Sequence, residues 1–426
     1  MEQINANTDE TFEVVIERII PGGLGFAHAD SRTVMVALAA PGDRVRVRVD
    51  RVKGSVAFAS IVEILEPAPV RVEPPCSYFG RCGGCNFQQL SYSAQLAAKI
   101  EIIRDCLRRL GGIEDVPAFE ITAAPNEWHY RARAQWQYAS VRRWLGYFEA
   151  NSRDVCDVAE CAVLVPELQR ELEALREQMT QDELPDDARH FRAVVGDEGV
   201  SVAAGVSGRG SSPTVMEGVG VADITRTIRD ERYQLNANSF FQTNLDLVPA
   251  LVDSALGDVR GEKAIELYSG VGLFTVPLAR RFASVIAVED DAEASAFARR
   301  NLADAGLSNA EVVNEDVAAW LENLESSGAR FAPAALRRAR MPALPGALQS
   351  IDFLLLDPPR TGAESRVISG IVRLKPKRIC YVSCDPATLA RDLKKLIAGG
   401  YSISSIQAFD MFPQTHHVET LVHLVP

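Results

Sequence analysis

The chain has 426 residues, 47% of them hydrophobic, a formal net charge of −12 and eight cysteines. That length predicts about two to four domains with well-filled cores, and the acidic balance argues against non-specific binding to nucleic acid. No run of about 18 apolar residues is present to cross a membrane as a helix, and the opening MEQINANTDETFEVV lacks the basic start and apolar stretch of a signal peptide. The expectation is a cytoplasmic monomer with no membrane partner, whose cysteines serve metal binding or chemistry rather than disulfides.

Residues 12–65 read as five short strands, TFEVVIERI, GLGFAHA, TVMVALA, DRVRVRVDRV and VAFASIVEIL, separated by turns at Gly22-Gly23, Pro41-Gly42-Asp43 and Lys53-Gly54. This pattern predicts an N-terminal OB-like β-barrel over residues 1–66. EPAPVRVEPP follows as a linker. CSYFGRCGGCNFQQL then carries Cys76, Cys82 and Cys85 in a C-x5-C-x2-C spacing within a glycine-rich turn. Three thiolates so spaced converge on one centre, and a fourth ligand would come from Cys156 or Cys161 in RDVCDVAECAVL. The chemistry leaves open a four-thiolate zinc site, an iron–sulfur cluster and a chance grouping of structural thiols.

An amphipathic helix is predicted over 93–112, with Leu96, Ile100, Ile103 and Leu107 recurring at helical spacing and Gly111-Gly112 ending it. With residues 67–92, residues 113–235 are expected to form a mixed, mainly-β middle domain carrying the cysteine group. Within it, residues 126–153 hold three of the four tryptophans, interleaved with Arg131, Arg133, Arg142, Arg143 and Arg153. Arginines for phosphates and aromatics for unstacked bases suit single-stranded RNA, and an aromatic-cored hairpin is the alternative. Arg131 and the barrel's Arg44, Arg46, Arg48 and Arg51 are candidate backbone contacts.

Residues 236–426 alternate apolar strands (EKAIELYSGVG, ASVIAVED, AEVVNEDV, IDFLLLDPP, KRICYVSCDP) with helices, which predicts a parallel, doubly wound sheet with its ligand at the carboxyl ends of the strands. SSGARFAPAALRRARMPALPGALQS interrupts the pattern as a surface insertion. Gly270 and Gly272 form a Gly-x-Gly turn between strand and helix. Glu289 ends the next strand, Asp316 the third, and Asp357 of DPPR the fourth. As a set, these residues match the arrangement of a class I, Rossmann-like AdoMet methyltransferase.

Cys384 in YVSCDP ends the following strand. Seven Lys/Arg between residues 371 and 395, against Asp385 and Asp392, give a local charge of +5 around it in the sequence. Methyl transfer to a pyrimidine C5 needs a thiolate to add at C6, because C5 alone is a poor nucleophile. It also needs a base to remove the C5 proton. DMFPQTHHVETLVHL offers Glu419 beside His416 and His417.

Over nearly its whole length the chain resembles the RNA 5-methyluridine (uracil-C5) methyltransferases. The motifs carrying the likeness are NANSFFQTN, ELYSGVGLFTVPLA, DPPR, YVSCDPATLARDL and DMFPQTHHVET. The resemblance implies Cys384 as nucleophile and Glu419 as C5 proton acceptor. It implies Gln242, Tyr268, Gly270, Gly272, Glu289, Asp316 and Asp357 as AdoMet contacts. It further implies a [4Fe–4S] cluster on Cys76, Cys82, Cys85 and Cys161, in preference to Cys156, and an RNA partner. The barrel, a TRAM domain in that family, together with the cluster is similar to the 23S rRNA-directed branch, with tRNA the alternative target. The helix 93–112 is implied to pack on the catalytic domain.

The family commonly has Asn where this chain has Asp385. An RNA cytosine-C5 methyltransferase would use the same thiol chemistry, but its Pro-Cys motif is missing. A non-catalytic RNA-binding factor would have no need of both Cys384 and Glu419.

Overall fold

The computed structural model describes residues 11–29, 32–206, 214–220, 223–326 and 350–426. The predicted insertion, apart from its two end residues, lies outside them. The N-terminal sheet has six strands in the order Thr11–Val15, Arg44–Lys53, Val56–Glu66, Arg32–Val36, Leu24–Ala29, Arg18–Ile20. The first expected strand is thus two. Ile16 N–H bonds to Asp43 O and Glu17 N–H to Phe26 O, so the chain changes partners there. Since those two strands form opposite edges, the change curls the sheet on itself around Val14, Ile16, Ala27, Val34, Val36 and Val47. Arg44 and Arg46 are held on this barrel by Glu13, Glu63 and Glu66, and Arg51 lies over the Phe58 ring.

A second antiparallel sheet runs Val155–Asp157, Trp144–Phe148, Arg133–Ala139, Ala188–Val195, Val200–Val206, Thr214–Gly220. Helix Pro166–Thr180 covers it, placing Leu168, Leu172, Leu175 and Met179 in one core with Trp136 and Phe191. The tryptophans divide accordingly. Trp136 is core, whereas Trp144 is partly exposed with the guanidinium groups of Arg142 and Arg81 over its ring.

The third sheet has eight strands: Ala310–Asn314, Phe282–Glu289, Gly261–Leu267, Phe353–Leu356, Ile379–Ser383, Glu419–Val425, Ser402–Phe409, Ile121–Thr122. The first five are parallel, and Glu419–Val425 is antiparallel to both its neighbours. Two stretches assigned by sequence to 113–235 sit with this sheet. Ile121–Thr122 covers its edge by pairing with Ala408 and Phe409. The hairpin Ile224–Ile228/Glu231–Leu235 places Ile224, Tyr233 and Leu235 in the core shared with Ala264 and Val271.

Helix Tyr92–Arg109 shares a core with Leu354, Leu389 and Leu393 of the third sheet's layers and with Ile19 of the barrel. Its buried stripe is Gln95, Ala98, Lys99, Ile102, Ile103, Cys106 and Leu107. Two polar residues therefore occupy a face that apolar periodicity leaves unmarked.

Candidate active site

The carboxyl ends of the parallel strands form one rim, and the chain's chemistry collects there. After Gly261–Leu267 the backbone turns sharply. Tyr268, Gly270 and Gly272 take φ of +63°, +54° and +91°, a region readily open to glycine alone. A Cβ built on Gly270 would meet no protein atom within 4 Å, so the turn opens onto free space. Glu289 ends the adjacent strand. Its carboxylate accepts from Gly270 N–H at 2.8 Å and Asp291 N–H at 2.9 Å, and burial pushes its carboxyl up to about 7.

Glu266, inside the strand that leads to the turn, has no part in the sequence-based site. It is buried, accepts from Thr275 Oγ1, and is pushed up to about 8 by that burial. Its only sequence signal is an acid within an otherwise apolar strand. Gln242 and Ser269 are also buried, and Ser269 Oγ has no protein partner. Asp316 lies further out, half-exposed, where it caps helix Val317–Ser326 by accepting Ala319 N–H at 2.8 Å.

Cys384 follows strand Ile379–Ser383. The last register pair with the antiparallel neighbour is Ser383 opposite Thr420, so Cys384 and Glu419 each lie one residue beyond that pair, and the charge of Glu419 acts on the thiol. The end of Phe353–Leu356 brings Asp357 to the same rim. Glu419 is 3% exposed, and its Oε1 has no partner. Burial first, then the charge of Asp357, raises its carboxyl well above the usual range, with Arg360 opposing. Asp357 is itself pushed up to about 7 by burial. The Cys384 thiol is pushed up to about 12, chiefly by burial and then by Glu419, with lesser contributions from Asp357 and Asp385 and with Arg360 pulling down.

The cation serving this group is therefore Arg360, directly after Asp357-Pro-Pro. The positive stretch counted in the sequence lies elsewhere. Arg373 to Arg378 precede strand Ile379–Ser383, roughly 16 Å away at the opposite edge of the sheet. Lys377 there pairs with Asp352 at 2.7 Å. Lys394 and Lys395 sit in the last turns of helix Pro386–Ala398, and Arg391 is tied to Asp392. Asp385 has a local role. Its carboxylate caps that helix, accepting Ala387 and Thr388 N–H groups, both at 2.9 Å. Asn performs the same cap. His416 and His417, depressed to about 4 and about 3 mainly by burial, are neutral imidazoles at neutral pH.

The thiols Cys76, Cys82, Cys85 and Cys161 line one pocket with Tyr78, Tyr147 and Arg131, while Cys156 is wholly buried and not on its wall. Arg131 thus faces the thiols rather than an outer surface. Tyr147 Oη and Arg131 Nε are buried without partners. The backbone is tight here, since a Cβ on Gly83 would stand 3.0 Å from Phe148 O. Burial drives Cys82 up to about 12 and Cys85 up to about 11. Among the described residues, no group of three or more His, Cys, Asp or Glu is set to hold a metal ion. Cys106 and Cys380 are buried in the core.

Comparisons with known proteins converge on one group. The tRNA (uracil-5-)-methyltransferase family model matches residues 213–425, and the TRAM domain model matches residues 7–62. The 23S rRNA (uracil(1939)-C(5))-methyltransferase RlmD of Alkalilimnicola ehrlichii is 33% identical, over 97% of this chain and 96% of its own length. An uncharacterized RNA methyltransferase of Thermotoga maritima is 31% identical, over 97% and 98%. Among solved structures, Pyrococcus abyssi tRNA (uracil-54, C5)-methyltransferase in complex with S-adenosyl-L-homocysteine superposes with a TM-score of 0.71. It has 26% identity, covering 97% of this chain and 100% of that one.

Proposed function

Because this chain belongs to the tRNA (uracil-5-)-methyltransferase family and carries a TRAM domain, we infer that it methylates C5 of a uridine in 23S rRNA through a covalent bond between Cys384 and C6 of the base. It is an AdoMet-dependent RNA (uracil-5-)-methyltransferase. The observation that carries the mechanism is the register pair Ser383–Thr420, which brings the adjoining Cys384 and Glu419 together on the rim that also holds the glycine turn.

AdoMet, when bound, supplies an electrophilic methyl group. The turn at Tyr268, Gly270 and Gly272 leaves free space for it, Glu289 offers lone pairs to ribose hydroxyls, and Gln242, Asp357 and the partnerless Ser269 Oγ provide further polar contacts. Asp316 lies at the outer end of this row. Cys384 loses its proton to solvent, the thiolate bonds to C6, and the electron pair of the C5–C6 double bond moves to C5. C5 takes the methyl as the bond from methyl to sulfonium breaks. Glu419 then removes the C5 proton, those electrons restore the double bond, and the C6–S bond breaks to release the Cys384 thiolate. A carboxylate raised by burial suits this step, because a higher pKa makes it a stronger base.

Cys76, Cys82, Cys85 and Cys161 would hold a [4Fe–4S] cluster. A single zinc draws its thiolates to within about 3.8 Å of each other. A [4Fe–4S] cluster would take four thiolates that stand farther apart than that, and the pocket wall offers four thiols. Arg131 on the wall offsets the negative charge of such a group. The cluster would staple the 76–85 loop to the segment at Cys161. Protein purified without oxygen is expected to be brown and to carry about four iron per chain. Iron should be lost in Cys161→Ser and kept in Cys156→Ser. One zinc per colourless chain would overturn the assignment.

The RlmD relative supports 23S rRNA as the target, and the likeness to the archaeal tRNA enzyme supports a tRNA reading. Mapping 5-methyluridine in cells with and without the gene separates them. A mark lost from 23S rRNA alone is the expected result. A mark lost from tRNA alone would overturn the rRNA reading.

A further inference from the structure

Residues 410–418 join the strand ending at Phe409 to the one opening on Glu419. Most of the hydrogen bonds of this strap run away from the catalytic sheet, to residues some 290–330 positions earlier in the chain. Gln95 Nε2 donates to Gln414 Oε1 at 2.9 Å, and Gln414 N–H returns to Gln95 Oε1 at 2.9 Å. The N–H groups of Asn86 and Phe87 both donate to Gln414 O, at 3.1 and 3.0 Å. Asn86 Oδ1 accepts from His416 N–H at 3.0 Å, and its Nδ2 lies 2.9 Å from His416 Nδ1. Tyr130 Oη donates to Pro413 O at 2.9 Å, and Lys99 Nζ bonds to Asp410 and Phe412 O.

Gln414 holds a left-handed φ of +68°. That conformation disfavours a non-glycine residue, and the bonds to Gln95, Asn86 and Phe87 hold it. Asn86 follows Cys85 directly. The barrel closes the junction from the other side, where a Cβ on Gly23 would run into Asn86 Nδ2 and stand 2.9 Å from His416 Cβ. Barrel turn, thiol loop and strap thus meet three residues before Glu419.

We propose that Asn86, with Gln95 and Gln414, is a positioning residue for Glu419: the thiol-bearing loop is the wall that sets the strap, and through it the removal of the C5 proton. This rests on Glu419 being the proton acceptor. Loosening the wall leaves Cys384 and the cofactor turn in place, since neither bonds to the strap's outer partners. The thiol addition therefore proceeds while elimination slows.

The test uses full-length protein with its bound metal and total RNA from cells lacking the gene. Asn86→Ala is expected to lower kcat by about ten- to a hundredfold, leave KM for AdoMet unchanged, and accumulate a covalent protein–RNA adduct on a denaturing gel. Asn86→Asp keeps the acceptor for His416 N–H and should restore turnover. Gln414→Ala, removed from the thiols, should trap adduct with its iron content intact. Slow turnover without adduct in both alanine variants, or a raised KM for AdoMet in place of the kcat loss, overturns the proposal. Glu419→Gln is the reference. If it traps adduct and the alanine variants do not, positioning alone is wrong. If it traps none, the assignment of Glu419 falls and takes the proposal with it.

Discussion

Glu419→Gln is expected to stall on its RNA. The amide keeps the shape of the side chain but cannot take a proton, so the C6 adduct forms and fails to break down. Turnover should fall by about 10²–10⁴-fold, and a protein–RNA band should survive denaturation. Cys384→Ala should form no such band and lose methylation by on the order of 10⁴-fold or more, because no other thiol on the rim can add to C6.

A second readout needs no RNA. The charge of Glu419 is the largest cause after burial of the raised Cys384 thiol. Removing it should therefore lower the thiol's pKa. Alkylation of the Cys384 peptide by iodoacetamide, followed by mass spectrometry, should run faster in Glu419→Gln than in wild type, with its midpoint at lower pH. Asp385→Asn removes a smaller neighbouring charge while keeping the helix cap, so it should shift the same midpoint in the same direction by less. An unchanged midpoint in Glu419→Gln would mean the two groups do not face each other.

The largest expected effect on stability is at Lys99. It lies on the buried face of helix Tyr92–Arg109, wholly enclosed, with its ammonium on the equally buried Asp410 and on Phe412 O at 3.0 Å. Lys99→Met leaves a buried carboxylate without its counter-charge, which costs about 3–5 kcal/mol. In a protein of this size that should lower the apparent melting temperature by roughly 3–6 °C. The double variant Lys99→Met/Asp410→Leu should recover most of the loss, because it removes both charges together. If Lys99→Met alone shifts the melting temperature by less than about 2 °C, the pair does not hold the helix to the strap.

Much of the catalytic half is legible in the sequence because its signals are local. A strand followed by a Gly-x-Gly turn, and acids at successive strand ends, occupy contiguous stretches whose geometry follows from short-range sterics. Cys384 and Glu419 are each visible as residue types that the proposed chemistry requires. Glu266 and Arg360 were not counted, the first because an acid inside a strand looks like a fault in the pattern, the second because it adjoins a more conspicuous aspartate. The cation count around Cys384 misled for a related reason. A five-residue strand carries neighbours in sequence to opposite edges of a sheet.

By itself the sequence determined the residue types available to this chain: a strand running into a Gly-x-Gly turn, a thiol and a carboxylate late in the chain, and a set of closely spaced cysteines. Only the tertiary structure decided how these are joined. Whether Cys384 meets Glu419 depends on an antiparallel register, and whether Cys161 or Cys156 faces the other thiols depends on how one loop lies against another. That Gln95 and Lys99 turn inward to grip the strap before Glu419 depends on contacts across more than 300 residues. Such contacts are made after distant segments fold against each other, and no periodicity along the chain records them.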